Sequence, residues 1–159
     1  LRQLISFYFC TELNDLHIDW ASTYISLNRH IAELRYGPIS YWDTSKVTCM
    51  KQLFFKRTFF NDDISLWDVS NVTDMSEMFG FATSFNQPLE RWNVSNVKDM
   101  YRMFWWASTF NQPLETWDVH NVTDMCQMFE GATSFHQSVS KWDTSSVIIM
   151  NGMFDGFNF

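Results

Sequence analysis

Five tryptophans, Trp42, Trp67, Trp92, Trp117 and Trp142, stand 25 residues apart in this chain. Met50, Met75, Met100, Met125 and Met150 keep the same period, as do Phe54, Phe79, Phe104, Phe129 and Phe154. Val47, Val72, Val97, Val122 and Val147 make a fourth column in the same register. Self-similarity at a fixed period of this size is the signature of stacked repeats. One 25-residue unit cannot bury its apolar face alone, so neighbouring units must cover one another.

The apolar spacing changes within each unit. Leu89, Trp92 and Val94 read as a short strand, with a Trp-x-Val alternation of period two. Val97, Met100, Met103, Phe104 and Ala107 then step by three and four, which predicts one face of a helix. Phe110, Asn111, Gln112 and Pro113 follow as a turn, and the proline blocks continuation. The expected unit is strand, helical turn and loop. Asn71, Asn96 and Asn121, with Asp74, Asp99 and Asp124 three residues on, suit caps for those helices. Asn61, Asn86 and Asn111, with His136 in the fourth unit, suit a stack of side chains that bond backbone from unit to unit.

The stretch before the repeats has another rhythm. Leu13, Leu16, Trp20, Tyr24, Leu27, Ile31 and Leu34 step by three or four, and Thr11 suits an N-cap. Arg35, Gly37 and Pro38 form a stop signal. Residues 1–35 are therefore expected to be a helical cap region, with the helix over 11–35 covering the first unit. Residues 36–159 are expected to be the repeat array, its last unit incomplete. Leu1 in place of Met, and Phe159 inside a unit, suggest a piece of a longer chain whose leader would lie upstream.

The run Phe85-Asn-Gln-Pro-Leu-x-x-Trp92-Asn-Val-Ser-Asn-Val-x-x-Met100-x-x-Met-Phe104 resembles the BspA-like leucine-rich-repeat surface proteins, the group with the DUF285 repeat. The entry Tyr36-Gly-Pro-Ile-Ser-x-Trp42-Asp-Thr-Ser-x-Val47 looks like the first repeat of such proteins. The resemblance spans roughly 36–159. It implies a right-handed, leucine-rich-repeat-like α/β solenoid of about five coils, displayed extracellularly or at a cell surface. It brings no catalytic residues. The chain departs from the ordinary leucine-rich repeat at Val97, where that repeat has Asn.

Composition narrows the function. Eleven Lys and Arg against 18 Asp and Glu give a net charge of −7, which disfavours nucleic acid as partner. No run of 18 apolar residues is present, so no transmembrane segment is expected. Cys10, Cys49 and Cys126 are odd in number and form no CxxC, suggesting neither a disulfide framework nor a zinc site.

Asp43, Asp68, Asp118 and Asp143, with Asn93 between, stand beside each Trp. A carboxylate ladder has the chemistry to hold Ca²⁺. Bonding to local backbone, or to Ser45, Ser70, Ser95 and Ser145, is the plainer expectation, and the uncharged Asn93 favours it. A glycosidase pair needs two acids in unlike environments, whereas every unit here repeats one acid. His17, His30, His120 and His136 are scattered and build no triad. Asn71-Val-Thr, Asn93-Val-Ser and Asn121-Val-Thr match the glycosylation sequon, two of them at expected cap positions.

The candidate site is an aromatic break in otherwise polar columns. One column reads Phe55, Gly80, Trp105, Glu130, Asp155; the next reads Lys56, Phe81, Trp106, Gly131, Gly156. A third reads Lys51, Ser76, Tyr101, Cys126, Asn151. Phe55, Phe81, Tyr101, Trp105 and Trp106 thus gather in the first three units, as an exposed interface does. The alternative is that a loop or the cap region folds over them. The expected function is non-catalytic protein interaction or assembly scaffolding within a larger complex, with no cofactor. The alternative function is an adhesive or carbohydrate-binding surface module.

Overall fold

The computed structural model describes residues 33–34 and 37–156. They stack as 25-residue coils, coil 1 (42–66), coil 2 (67–91), coil 3 (92–116) and coil 4 (117–141), followed by the described part of coil 5 (142–156). The stack is not the α/β solenoid expected, and it has neither a strand nor a helix in each coil. Regular structure among the described residues amounts to the helical pair Glu33 and Leu34, a 3-10 helix Ile39–Tyr41 and isolated parallel bridges, with no sheet. The bridges join Cys49 to Asp74, Asp74 to Asp99, Asp99 to Asp124 and Asp124 to Ile149.

Hydrogen bonding explains why no helix forms. In coil 3 the N–H groups of Trp92, Val97, Met103, Trp105, Ala107 and Phe110 each donate to the carbonyl three residues back. Those are turn bonds, whereas an α-helix bonds four back. The alternate donors leave the coil altogether. Met100, Arg102, Phe104 and Trp106 donate to the carbonyls of Asp124, Cys126, Met128 and Glu130 at 2.8 to 3.0 Å. Arg102 and Trp106 take positive φ, 52° and 55°. That state interrupts a helix and suits the third residue of a type II turn.

The same two positions are left-handed in every coil, as Gln52 and Lys56, Glu77 and Phe81, Gln127 and Gly131, and Gly152 and Gly156. The state costs a non-glycine residue about 1–2 kcal/mol, and the intercoil ladder offsets it. Val97, Met100, Met103, Phe104 and Ala107 do all point into the core. Successive turns therefore reproduce the three-and-four spacing of a helix face. The segment read as a strand is likewise turns, with Trp92 N–H bonded to Leu89 and Val97 N–H to Val94.

The core is two zipped columns of phenyl rings. Phe79, Phe104 and Phe129 stack on one another at 5.4 Å, nearly parallel. Phe85, Phe110 and Phe135 stack beside them at 6.0 Å, and Phe104 meets Phe110 at 4.0 Å. The Trp column adds a directional bond. Four indole Nε1–H groups donate to a carbonyl 28 residues earlier, Trp67 to Ile39, Trp92 to Ile64, Trp117 to Leu89 and Trp142 to Leu114, while Trp42 donates to Gly37. A ring wide enough to cover one coil, with a donor reaching the previous one, accounts for Trp at this position.

Polar columns stitch the outside. The Oδ1 atoms of Asn61, Asn86 and Asn111 accept the backbone N–H of Asn86, Asn111 and His136, which is the expected ladder. Asn71, Asn96 and Asn121 cap no helix. Their Nδ2 groups donate to the Ser45, Ser70 and Ser95 carbonyls of the preceding coil. Asp74, Asp99 and Asp124 accept N–H bonds from residues two ahead, Ser76, Tyr101 and Cys126.

Apart from Glu33 and Leu34, the expected cap helix over 11–35 lies outside the described residues. Gly37, at φ 75°, donates its N–H to the Glu33 carbonyl at 2.8 Å. That geometry ends a helix at a left-handed glycine. Cys49 is disulfide-bonded and Cys126 is free. The expectation of no disulfide was wrong, because an odd count means only that one thiol is left over.

Candidate functional site

The intercoil ladder places the aromatic break. Met100, Met103 and Phe104 turn inward, so Tyr101, Arg102, Trp105 and Trp106 are left on the outer side of the same turns. Tyr101 and Trp105 stand four residues apart, yet no helix face brings them together. The Arg102 guanidinium does so, lying 4.9 Å from the Tyr101 ring centre and 4.1 Å from that of Trp105.

The five predicted residues form one connected patch. Phe55 meets Phe81 edge-on at 6.0 Å, and Phe81 meets Trp105 edge-on at 4.6 Å. Trp106 stacks on Phe81 at 6.4 Å. Phe55, Phe81, Tyr101 and Trp105 are half-buried, and Trp106 is 48% exposed. A Cβ added at Gly80 would stand 2.8 Å from the Phe55 ring, and one at Gly131 would stand 2.7 Å from Trp106. Each of those aromatics therefore rests on the glycine one coil further on.

Sequence reading missed the cations and the glycine seats. Lys56 Nζ stands 5.1 Å over the Phe55 ring. Arg102 Nε donates to Gln127 Oε1 at 2.8 Å, which fixes the guanidinium plane. The signal for the seats was present: in both columns the coil after a bulky ring, Phe55 or Trp106, carries glycine. Trp105 Nε1 is buried with no hydrogen-bond partner among the described residues. Burial lifts the Tyr101 hydroxyl and the Cys126 thiol above their ordinary ranges. Cys126 is thus a poor thiolate source.

The other candidates resolve as local structure. Ser45, Ser70, Ser95, His120 and Ser145 give their N–H to Oδ1 of Asp43, Asp68, Asn93, Asp118 and Asp143. His120 Nδ1 also meets Asp118 Oδ1 at 2.7 Å. Two sequon asparagines, Asn71 and Asn121, have their amide nitrogen bonded across coils, while Asn93 instead accepts through Oδ1. Among the described residues no helix is long and apolar enough to cross a membrane.

Residues 25–125 and 109–158 match the model of a family described as Mycoplasma protein of unknown function, DUF285. No curated protein matches the chain, and no solved structure does.

Proposed function

The chain belongs to the DUF285 family, and from that premise we propose that it is a non-catalytic module that binds another protein or scaffolds a larger assembly. The observation that carries this reading is the continuous ring patch over coils 1 to 3, with Trp106 48% exposed at its margin. A soluble surface keeps such aromatic area open where it meets a partner. The patch sits on the ladder side, away from the Trp-x-Val segment where an aromatic platform would have favoured sugar. The finer likeness, to BspA-like surface proteins, joins the proposal as display in an extracellular or cell-surface setting. The disulfide at Cys49 supports it, since such bonds persist in oxidising compartments.

The test is site-specific photo-cross-linking in the source cells. A benzophenone side chain at Trp106 should cross-link one reproducible protein, and the same group at exposed Thr116 should not. Trp105→Ala with Trp106→Ala should abolish co-purification of that protein while the stack still melts cooperatively. Unfolding of the double variant, or identical products from both positions, would sink the reading.

A further inference from the structure

The aromatic face is divided by charge, and the rings all lie on its basic half. At its four outward positions, coils 1 to 3 carry Lys51, Lys56 and Arg102 against one acid, Glu77. Coils 4 and 5 carry Glu130 and Asp155 there, and no cation. Asp99 of the neighbouring column answers Lys51, which leaves Lys56 and Arg102 as the cations beside the rings.

The cations are also placed in a particular way. Glu77 lies within the same face, accepting Gln52 Nε2 at 2.7 Å. Arg102 is tied through Nε to Gln127 and lies over Tyr101 and Trp105. Its terminal nitrogens form no hydrogen bond or ion pair among the described residues. A guanidinium held over two rings, with its outer edge unanswered, is pre-organised for a bidentate oxyanion. Lys56 stands over Phe55 at the other end of the patch. Two donors beside the rings have no partner among the described residues: the Arg102 edge and the buried Trp105 indole N–H.

We infer that the partner docks on this face through an acidic segment of polypeptide, its carboxylates answering Arg102 and Lys56 and its apolar side chains covering Phe81, Trp105 and Trp106. This rests on the protein-binding reading above and adds the partner's chemistry to it. Charge complementarity selects acid, and the alternation of cations with rings selects a chain that mixes carboxylates with apolar groups.

The test uses three labelled 12-residue peptides that alternate leucine with glutamate, glutamine or lysine, read by fluorescence anisotropy on the whole chain. The glutamate peptide should bind at least about tenfold more tightly than the glutamine one, and the lysine peptide should not bind. The preference should shrink as salt rises from about 50 to about 300 mM. Arg102→Gln should remove most of it. Glutamine at 52 and 127 already holds the same left-handed backbone, φ 56° and 55°, so this variant keeps the turn. Lys56→Gln should remove less.

Equal binding of the glutamate and glutamine peptides overturns the acidic preference yet leaves an aromatic interface standing. Failure of the glutamate peptide to bind, with Trp106 cross-linking intact, also overturns the inference alone. Loss of the Trp106 cross-link as well removes the interface itself. A sulfated polysaccharide that binds through Arg102 and displaces the glutamate peptide at lower concentration overturns the polypeptide source.

Discussion

The glycine seats give the sharpest structural test, through a double-mutant cycle on Phe55 and Gly80. Gly80 is buried and shows no left-handed φ, so its backbone tolerates a side chain. The obstacle is the Phe55 ring, 2.8 and 2.9 Å from where the Cβ would stand. Forcing a methyl group under a packed ring costs about 1–3 kcal/mol. Removing glycine's extra unfolded-state freedom returns about 0.4–1 kcal/mol. Gly80→Ala should therefore destabilise by about 1–2 kcal/mol net. In a Phe55→Ala background the ring is gone and only the favourable part remains, so the same substitution should stabilise by about 0.5 kcal/mol. The coupling between the two sites is then about 1.5–2.5 kcal/mol, within the range measured for residues in contact. Urea titration of the four proteins, followed by fluorescence, reads it. Equal costs of Gly80→Ala in both backgrounds would refute the seat.

Three further outcomes follow from the packing. Trp92→Ala should cost about 3–5 kcal/mol; Trp92→Phe keeps an aromatic ring but loses the indole bond to the Ile64 carbonyl, which retains its bond from the Trp67 N–H, and should cost about 0.5–1.5 kcal/mol for that bond; denaturant midpoints for both check the indole bond. Burial, and then the neighbouring Asp74 and Asp124, hold the Asp99 carboxyl above the usual carboxylate range. The folded state therefore binds that proton more tightly than the unfolded one, and the penalty of ionising it is complete above the folded value and lost as pH falls through it. Asp99→Asn, which keeps an acceptor for the Tyr101 N–H, should raise Tm at pH 7 and lose that advantage by about pH 3; an equal Tm gain at both pH values would contradict it. Thiol titration of the unreduced, denatured chain should find one thiol, at Cys126, and three would show that Cys49 is unbonded.

The period and the inward residues were legible because a core column repeats its residue type in every coil. Trp, Met, Phe and Val mark the buried wall of each one. The local conformation was not legible, because turns of three-residue span and a helix set the same side chains on one side. What separates them is backbone chirality at two positions per coil, and Gln52, Glu77, Arg102 and Gln127 leave no trace of it in side-chain type. Glycine did leave a trace, at Gly131, Gly152 and Gly156, in the two columns where φ is positive. The aromatic patch was legible as a break in pattern. Arg102 and Lys56 were not, because a cation in a polar column breaks nothing.

The intercoil bonds also set the grain in which such a chain can change length. The carbonyl that accepts from one coil lies 24 residues beyond the donor, as Asp124 does for Met100 and Asp99 for Met75. Excising or duplicating one whole period joins equivalent halves and leaves every donor facing an acceptor. Any other length sets donors against the wrong turn and rotates Phe out of its column. Gene-level recombination is thus limited to integral steps, and each added step widens the outer face by one more row of four positions on which new surface chemistry can be written.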